Sequence, residues 1–131
     1  MTKPTHPLEL LCCAIATQEG FFVPGTTPAL SNNPGDLRFA GQLGASRPSG
    51  STGMDFPIAQ FRSPQAGTVA LFRQVLLQVA SGFTVRTIIN QWAPPSDGND
   101  TATYLKNVLA WTGLPPDTPV MELIPPLVRL Q

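Results

Sequence analysis

The sequence predicts a mainly helical α+β domain, four or five helices with a small β-hairpin beside a groove. Three observations predict it. Apolar residues recur at helical spacing in four segments, each opened by a capping residue. Two short runs, 36–39 and 57–62, alternate polar and apolar side chains as half-buried strands do. The stretches between them are rich in Gly, Pro, Ser and Asn, which forbids a long helix there. A chain of 131 residues forms one domain, 1–131, able to bury a core without disulfides or metals.

The first helix opens with Thr5 or His6 as cap, Pro7 in its first turn and Glu9 near its positive end. His6, the single histidine, sits at a solvated helix start and has no catalytic role. Leu8, Leu11, Cys12 and Ile15 fall on one stripe of a wheel of about 100° per residue, and Glu19 lands near its middle. Gly20 then stops the helix. Residues 21–38 form a tightly turned loop, leading into the first strand at 36–39. Residues 40–57 lack any hydrophobic period and form a mobile loop, a lip over a cleft. Residues 57–62 pair with 36–39 across this long connection.

Ser63 caps and Pro64 starts the longest helix, whose apolar stripe is Val69, Phe72, Val75, Leu76, Val79 and Phe83, with Leu71 and Leu77 off it. Apolar on more than one side, it is the expected central helix. Thr84 caps a shorter helix through Trp92, with Val85, Ile88, Ile89 and Trp92 on one side. Asn99 or Asp100 caps the next, in which Tyr104, Val108 and Trp111 align before Gly113 ends it. Thr118 and Pro119 open a final short helix, stopped at Pro125 and Pro126. Both tryptophans lie on apolar stripes and are expected in the core.

Charged residues are 12% of the chain, against about 25% in typical domains, and eight basic side chains balance eight acidic ones. Without a basic cluster the electrostatic footprint for nucleic acid or anionic lipid is missing, which disfavours nucleic acid as a partner. The surface must instead be built from neutral polar groups, which suits a neutral polar ligand. Adjacent Cys12 and Cys13 diverge on a helix, so they read as small buried apolar residues in a reducing compartment, with no bridge and no metal. The N-terminal apolar run is broken by Glu9, which makes it a poor signal peptide and too short a membrane span. No cofactor is expected.

Glu19 is the candidate for chemistry, and the plain alternative is a last-turn glutamate that points past the core into water. An acid placed on an apolar stripe, in a last turn where helix carbonyls are unpaired, feels both desolvation and the negative end of the helix dipole. Both raise its pKa above the ordinary glutamate value of about 4.3. A carboxyl that keeps its proton near neutrality protonates a leaving group, as glycosidic-bond cleavage requires.

The ordered set Ala14-Ile15-Ala16-Thr17-Gln18-Glu19-Gly20-Phe21, Asn32-Asn33-Pro34-Gly35-Asp36-Leu37-Arg38-Phe39, Phe61-Arg62-Ser63-Pro64-Gln65-Ala66-Gly67 and then Tyr104 resembles the lysozyme-like superfamily over about 100 residues. It is most similar to small phage and prophage proteins of that fold, which themselves resemble endo-β-N-acetylglucosaminidases and soluble lytic transglycosylases. The resemblance implies that Glu19 is the general acid, that Asn32 and Asn33 line the sugar groove, and that Tyr104 approaches the acid from a later helix. Asn carries both a donor and an acceptor on one short group, which suits sugar hydroxyls and acetamido groups. Asn32 and Asn33 are equally well explained as turn residues ahead of Pro34.

This chain departs from the family in having Gly20 where a Ser usually follows the acid. Asp36 and Asp55 are candidates for a second carboxylate, and Asp36 also for contact with substrate, although Asp36 suits a turn residue bonding its own backbone. A single acid fits a lytic transglycosylase, in which a substrate hydroxyl attacks, whereas an inverting hydrolase needs a base about 6.5–9.5 Å away. The implied activity is cleavage of β-1,4 bonds in peptidoglycan or a chitin-like glycan by a monomer. Such a protein is made in the cytoplasm without a signal peptide and acts at the cell wall, released through a holin pore or carried by a phage particle. The alternative is a non-enzymatic glycan-binding or virion structural protein that keeps the fold.

Overall fold

The computed structural model describes residues 5–50 and 57–126. Among them are six α-helices: α1 Pro7–Gln18, α2 Thr27–Leu30, α3 Pro64–Ala80, α4 Val85–Trp92, α5 Thr101–Thr112 and α6 Val120–Leu123. A 3-10 turn spans Pro95–Asp97, and strands β1 Ala45–Ser46 and β2 Gln60–Phe61 form a two-stranded antiparallel sheet. The chain is thus mainly helical with a token sheet. It divides into two compact units, residues 1–11 with 75–131, and residues 12–74.

In the first unit side-chain caps open α1, α4 and α5, whereas α6 begins after Pro119 without one. His6 Nδ1 accepts from the Leu8 N–H at 3.1 Å, so the histidine caps α1. Thr84 and Thr87 form a reciprocal capping box at α4, and Asp100 accepts from the Thr103 N–H at 3.1 Å to cap α5. Gly113, in the left-handed region at φ +69°, closes α5. The core is Val75, Val79, Val85, Ile88, Ile89, Tyr104, Leu105, Val108 and Val120. Two expectations fail here. Trp111 is 49% exposed rather than core, and Trp92 is only half-buried. On α5 the buried positions are Thr101, Tyr104, Leu105 and Val108, so the buried arc runs on the Leu105 side and leaves Trp111 at its edge.

In the second unit, residues 37–39 and 57–59 pair through the Arg38–Ile58 bridge, with the Phe39 N–H on Pro57 O and the Ala59 N–H on Leu37 O. The expected hairpin is therefore a single bridge. The regular ladder uses β1, from the stretch expected to be irregular, in the register Ala45 to Phe61 and Ser46 to Gln60. Gly44 at φ +79° makes this return possible, and a Cβ there would lie 3.0 Å from the Ala66 Cβ. Ala59, Phe61 and Ala70 form a small core, packed by Leu37, Phe39, Ala45 and Ala66.

The stripe expected on α3 is not the buried one. Val69 and Leu76 are exposed, whereas Gly67, Ala70, Leu71, Val75, Gln78 and Val79 are buried, an arc turned by about 100°. The helix buries a side made partly of small residues, because at Gly67 the backbone of Asn32 comes within reach of the helix axis. Cys12 is buried, its thiol pushed up to about 12 by burial and then by Cys13, but Cys13 is exposed, so only one of the pair is a core residue. No described helix is long and apolar enough to cross a membrane.

Candidate active site

Glu19 stands at the end of α1 and is fixed by a Schellman closure. Its own N–H still bonds Ile15 O at 2.9 Å, while Gly20 N–H reaches Thr17 O and Phe21 N–H reaches Ala16 O. Gly20 supplies the left-handed residue this closure needs, at φ +83°. A residue with a Cβ would be strained at that angle. The Thr26 Oγ1 lies 2.8 Å from Gly20 O and accepts from the Ala29 N–H at 3.2 Å, so one hydroxyl ties the end of α1 to the start of α2. Glu19 itself is half-buried.

The Asn32-Asn33-Pro34-Gly35-Asp36 turn lies in the same unit. Asn32 and Asp36 both occupy the left-handed region, at φ +52° and +50°, a conformation that non-glycine residues hold at a cost. Asn33 is fully buried: its Nδ2 donates to Leu37 O and Ala59 O, and its Oδ1 accepts from the Leu37 N–H, each at 2.9 Å. Both amide hydrogens are used, so the groove role expected of Asn33 is corrected to a structural one. Asn32 is half-buried, and its Nδ2 donates to Phe61 O at 3.1 Å.

Asp36 is the titratable group that this turn perturbs. Its Oδ1 is buried without a hydrogen-bond partner, and burial raises the carboxyl above the usual range, partly offset by the Arg38 guanidinium. Strain and a buried orphan oxygen together make Asp36 a candidate functional position. A raised folded pKa means that the folded chain holds this proton more tightly than the unfolded one. The resulting penalty is absent at low pH and grows as pH rises through the unfolded value of about 3.9 and then the folded value. Asp36→Asn keeps the shape and tolerates the left-handed angle, so the variant melts higher than wild type near pH 7 and equally near pH 3. Melting lower at pH 7 would show that the carboxylate is stabilised by a partner.

Tyr104 lies in the other unit, buried in α5, where it contributes to that unit's core. Asp55 is outside the described residues. The structure thus gathers Glu19, Asn32, Asn33 and Asp36 in one unit. Among the described residues no group of three or more His, Cys, Asp or Glu side chains is placed to hold a metal.

A groove of about 730 Å³ lies in the second unit, between residues 37–43 and the first three turns of α3. Its floor includes Ala66 and Ala70, its rim Leu43 and Val69, and both Arg62 and Arg73 line it. Residues 40–43 form one wall, in keeping with a loop at the lip of a cleft. Glu19 is not among the lining residues. The available signals were Gly44, which turns the chain back, and the off-stripe arginine on α3.

No protein-family model, curated protein or solved structure matches this chain.

Proposed function

We propose that the protein is a peptidoglycan-cleaving glycosidase of the lysozyme-like kind, with Glu19 as general acid and then base. The observation that carries this is the closure at the end of α1. It holds a half-buried carboxylate at a helix C-terminus, on backbone pinned by Gly20 and Thr26. A carboxylate borne on fixed backbone needs less ordering before it transfers a proton, which is where general acid catalysis gains. In the proposed reaction the Glu19 carboxyl protonates the glycosidic oxygen, the bond to the anomeric carbon breaks, and Glu19 then takes a proton from the attacking hydroxyl. That hydroxyl belongs to the substrate in a lytic transglycosylase and to water in a muramidase or glucosaminidase. Asp36, whose carboxyl burial raises above the usual range, is the candidate for a contact with the substrate besides Glu19.

Glu19→Gln is expected to slow release of soluble fragments from purified peptidoglycan by about 10²–10⁴-fold. Mass spectrometry of the wild-type fragments separates the products, since an anhydro sugar is one water lighter than a reducing one. Equal release by both proteins removes Glu19 from the mechanism. A second reading, a glycan-binding or virion structural protein without catalysis, is favoured by the saturated Asn33 carboxamide, which leaves the turn poorer in polar groups for substrate. It predicts sedimentation with peptidoglycan and no release by either protein.

A further inference from the structure

The groove of the second unit is unlike the rest of this charge-poor surface. Two guanidinium groups, Arg62 and Arg73, line it, and among the described residues no carboxylate does. Neither arginine has an ion-pair partner among the described residues, unlike Arg86, which pairs with Asp117. In the same groove Leu43 is 82% and Val69 64% exposed, two large apolar side chains left uncovered. Gln65 and Gln74 add two carboxamides with no hydrogen-bond partner among the described residues, whereas Gln42 is used locally, bonded to the Ala40 N–H and Arg38 O.

A neutral glycan explains the carboxamides and not the rest. Unopposed arginines in a concave site select an oxyanion, and their planar fork fits a carboxylate with two parallel bonds. Exposed leucine and valine beside them select a ligand that is also apolar. Free carboxamides match the N–H and C=O groups of peptide bonds, each offering one donor and one acceptor. The volume falls within the range of about 300–1,000 Å³ that binds a molecule larger than one side chain. The Arg62 backbone N–H bonds Gly44 O at 2.9 Å, and its Nε would lie 3.3 Å from a Cβ on Gly44, so its stem lies along the glycine.

We propose that this groove binds a short acidic peptide, with its carboxylates on Arg62 and Arg73 and its apolar side chains against Leu43 and Val69. The proposal rests on the groove and not on the role of Glu19. Its test is calorimetric titration of the full chain with a synthetic Ala-Glu-Ala tripeptide at low salt. Three comparisons accompany it: the tripeptide with its carboxylates amidated, inorganic phosphate as competitor, and the Arg62→Gln, Arg73→Gln and Val69→Ser variants.

Saturable binding is expected, weakening as salt rises because exposed charges are screened. Each arginine variant is expected to bind about tenfold more weakly, the loss of one charge-assisted bond of about 1.4 kcal/mol. Val69→Ser alters an exposed side chain, folds normally, and is expected to weaken binding severalfold without changing its salt dependence. Glu19→Gln is expected to bind as wild type does. Absence of binding, equal binding of the amidated peptide, or unchanged affinity in both well-folded arginine variants overturns the proposal. Full displacement by phosphate at a concentration equal to the peptide's overturns it in favour of a simple oxyanion site.

Discussion

Gly67→Ala is expected to lower the melting temperature by about 10 °C, a loss of roughly 3 kcal/mol in a chain of this size. Two effects compete. Replacing glycine by alanine inside a helix is ordinarily favourable by about 1 kcal/mol. Here, however, the added Cβ would lie 1.8 Å from the Asn32 carbonyl oxygen and 2.9 Å from Pro34 Cδ. The obstacle is backbone and a rigid ring, so no side chain can swing aside. The turn and α3 must separate by more than an ångström. That separation pulls on Asn33 and on the Asn32–Phe61 bond, and overpacking of this kind costs about 1–3 kcal/mol before any hydrogen bond is lost. The clash wins. Thermal unfolding of the two proteins side by side checks it, and a variant that melts higher than wild type would mean that α3 and the turn do not approach so closely.

The same glycine shows what was legible in the sequence. Caps and stops were: His6, Thr84, Asp100, Gly20 and Gly113 act as their residue types predict, because each satisfies a local backbone need within a few residues. The turn at 32–36 was legible for the same reason. The face that α3 buries was not, since apolar periodicity counts large side chains, whereas α3 is seated partly through Gly67 and Ala70. Gln78 is buried on that side with an unpartnered Oε1, a polar group that no hydrophobic stripe would place there. Strand pairing was half legible: the partner of residues 57–59 was correct, but β1 depends on a return at Gly44 that only the packing against Ala66 makes necessary. At the candidate site, Glu19 and its closure were readable from the stripe and Gly20. The division of labour between the two asparagines was not, because it depends on carbonyls of residues 59 and 61, far along the chain.

Asn33→Leu is expected to destabilise the protein by about 3–4 kcal/mol, with the melting temperature falling by 10 °C or slightly more. Leucine fills nearly the same volume, so the change isolates hydrogen bonding. It strands the Leu37 N–H and Ala59 O, which have the Asn33 carboxamide as partner, while Leu37 O keeps its bond from the Ala59 N–H. Each stranded buried group costs about 1–3 kcal/mol. Asn33→Asp separates this account from a ligand-binding role. It preserves size and polarity but sets a carboxylate oxygen against the carbonyls of Leu37 and Ala59, where two N–H donors stood. Two acceptors then face an acceptor, and burial further disfavours the charge, so the new carboxyl has a raised folded pKa. Its penalty is small at low pH, where the protonated acid restores one donor, and grows as pH rises through the unfolded value of about 3.9. The gap in melting temperature between this variant and wild type is therefore expected to widen from pH 4 to pH 7. A residue that faced substrate would behave differently, leaving the melting curve unchanged at both pH values while glycan binding fell, and that result would return Asn33 to the groove.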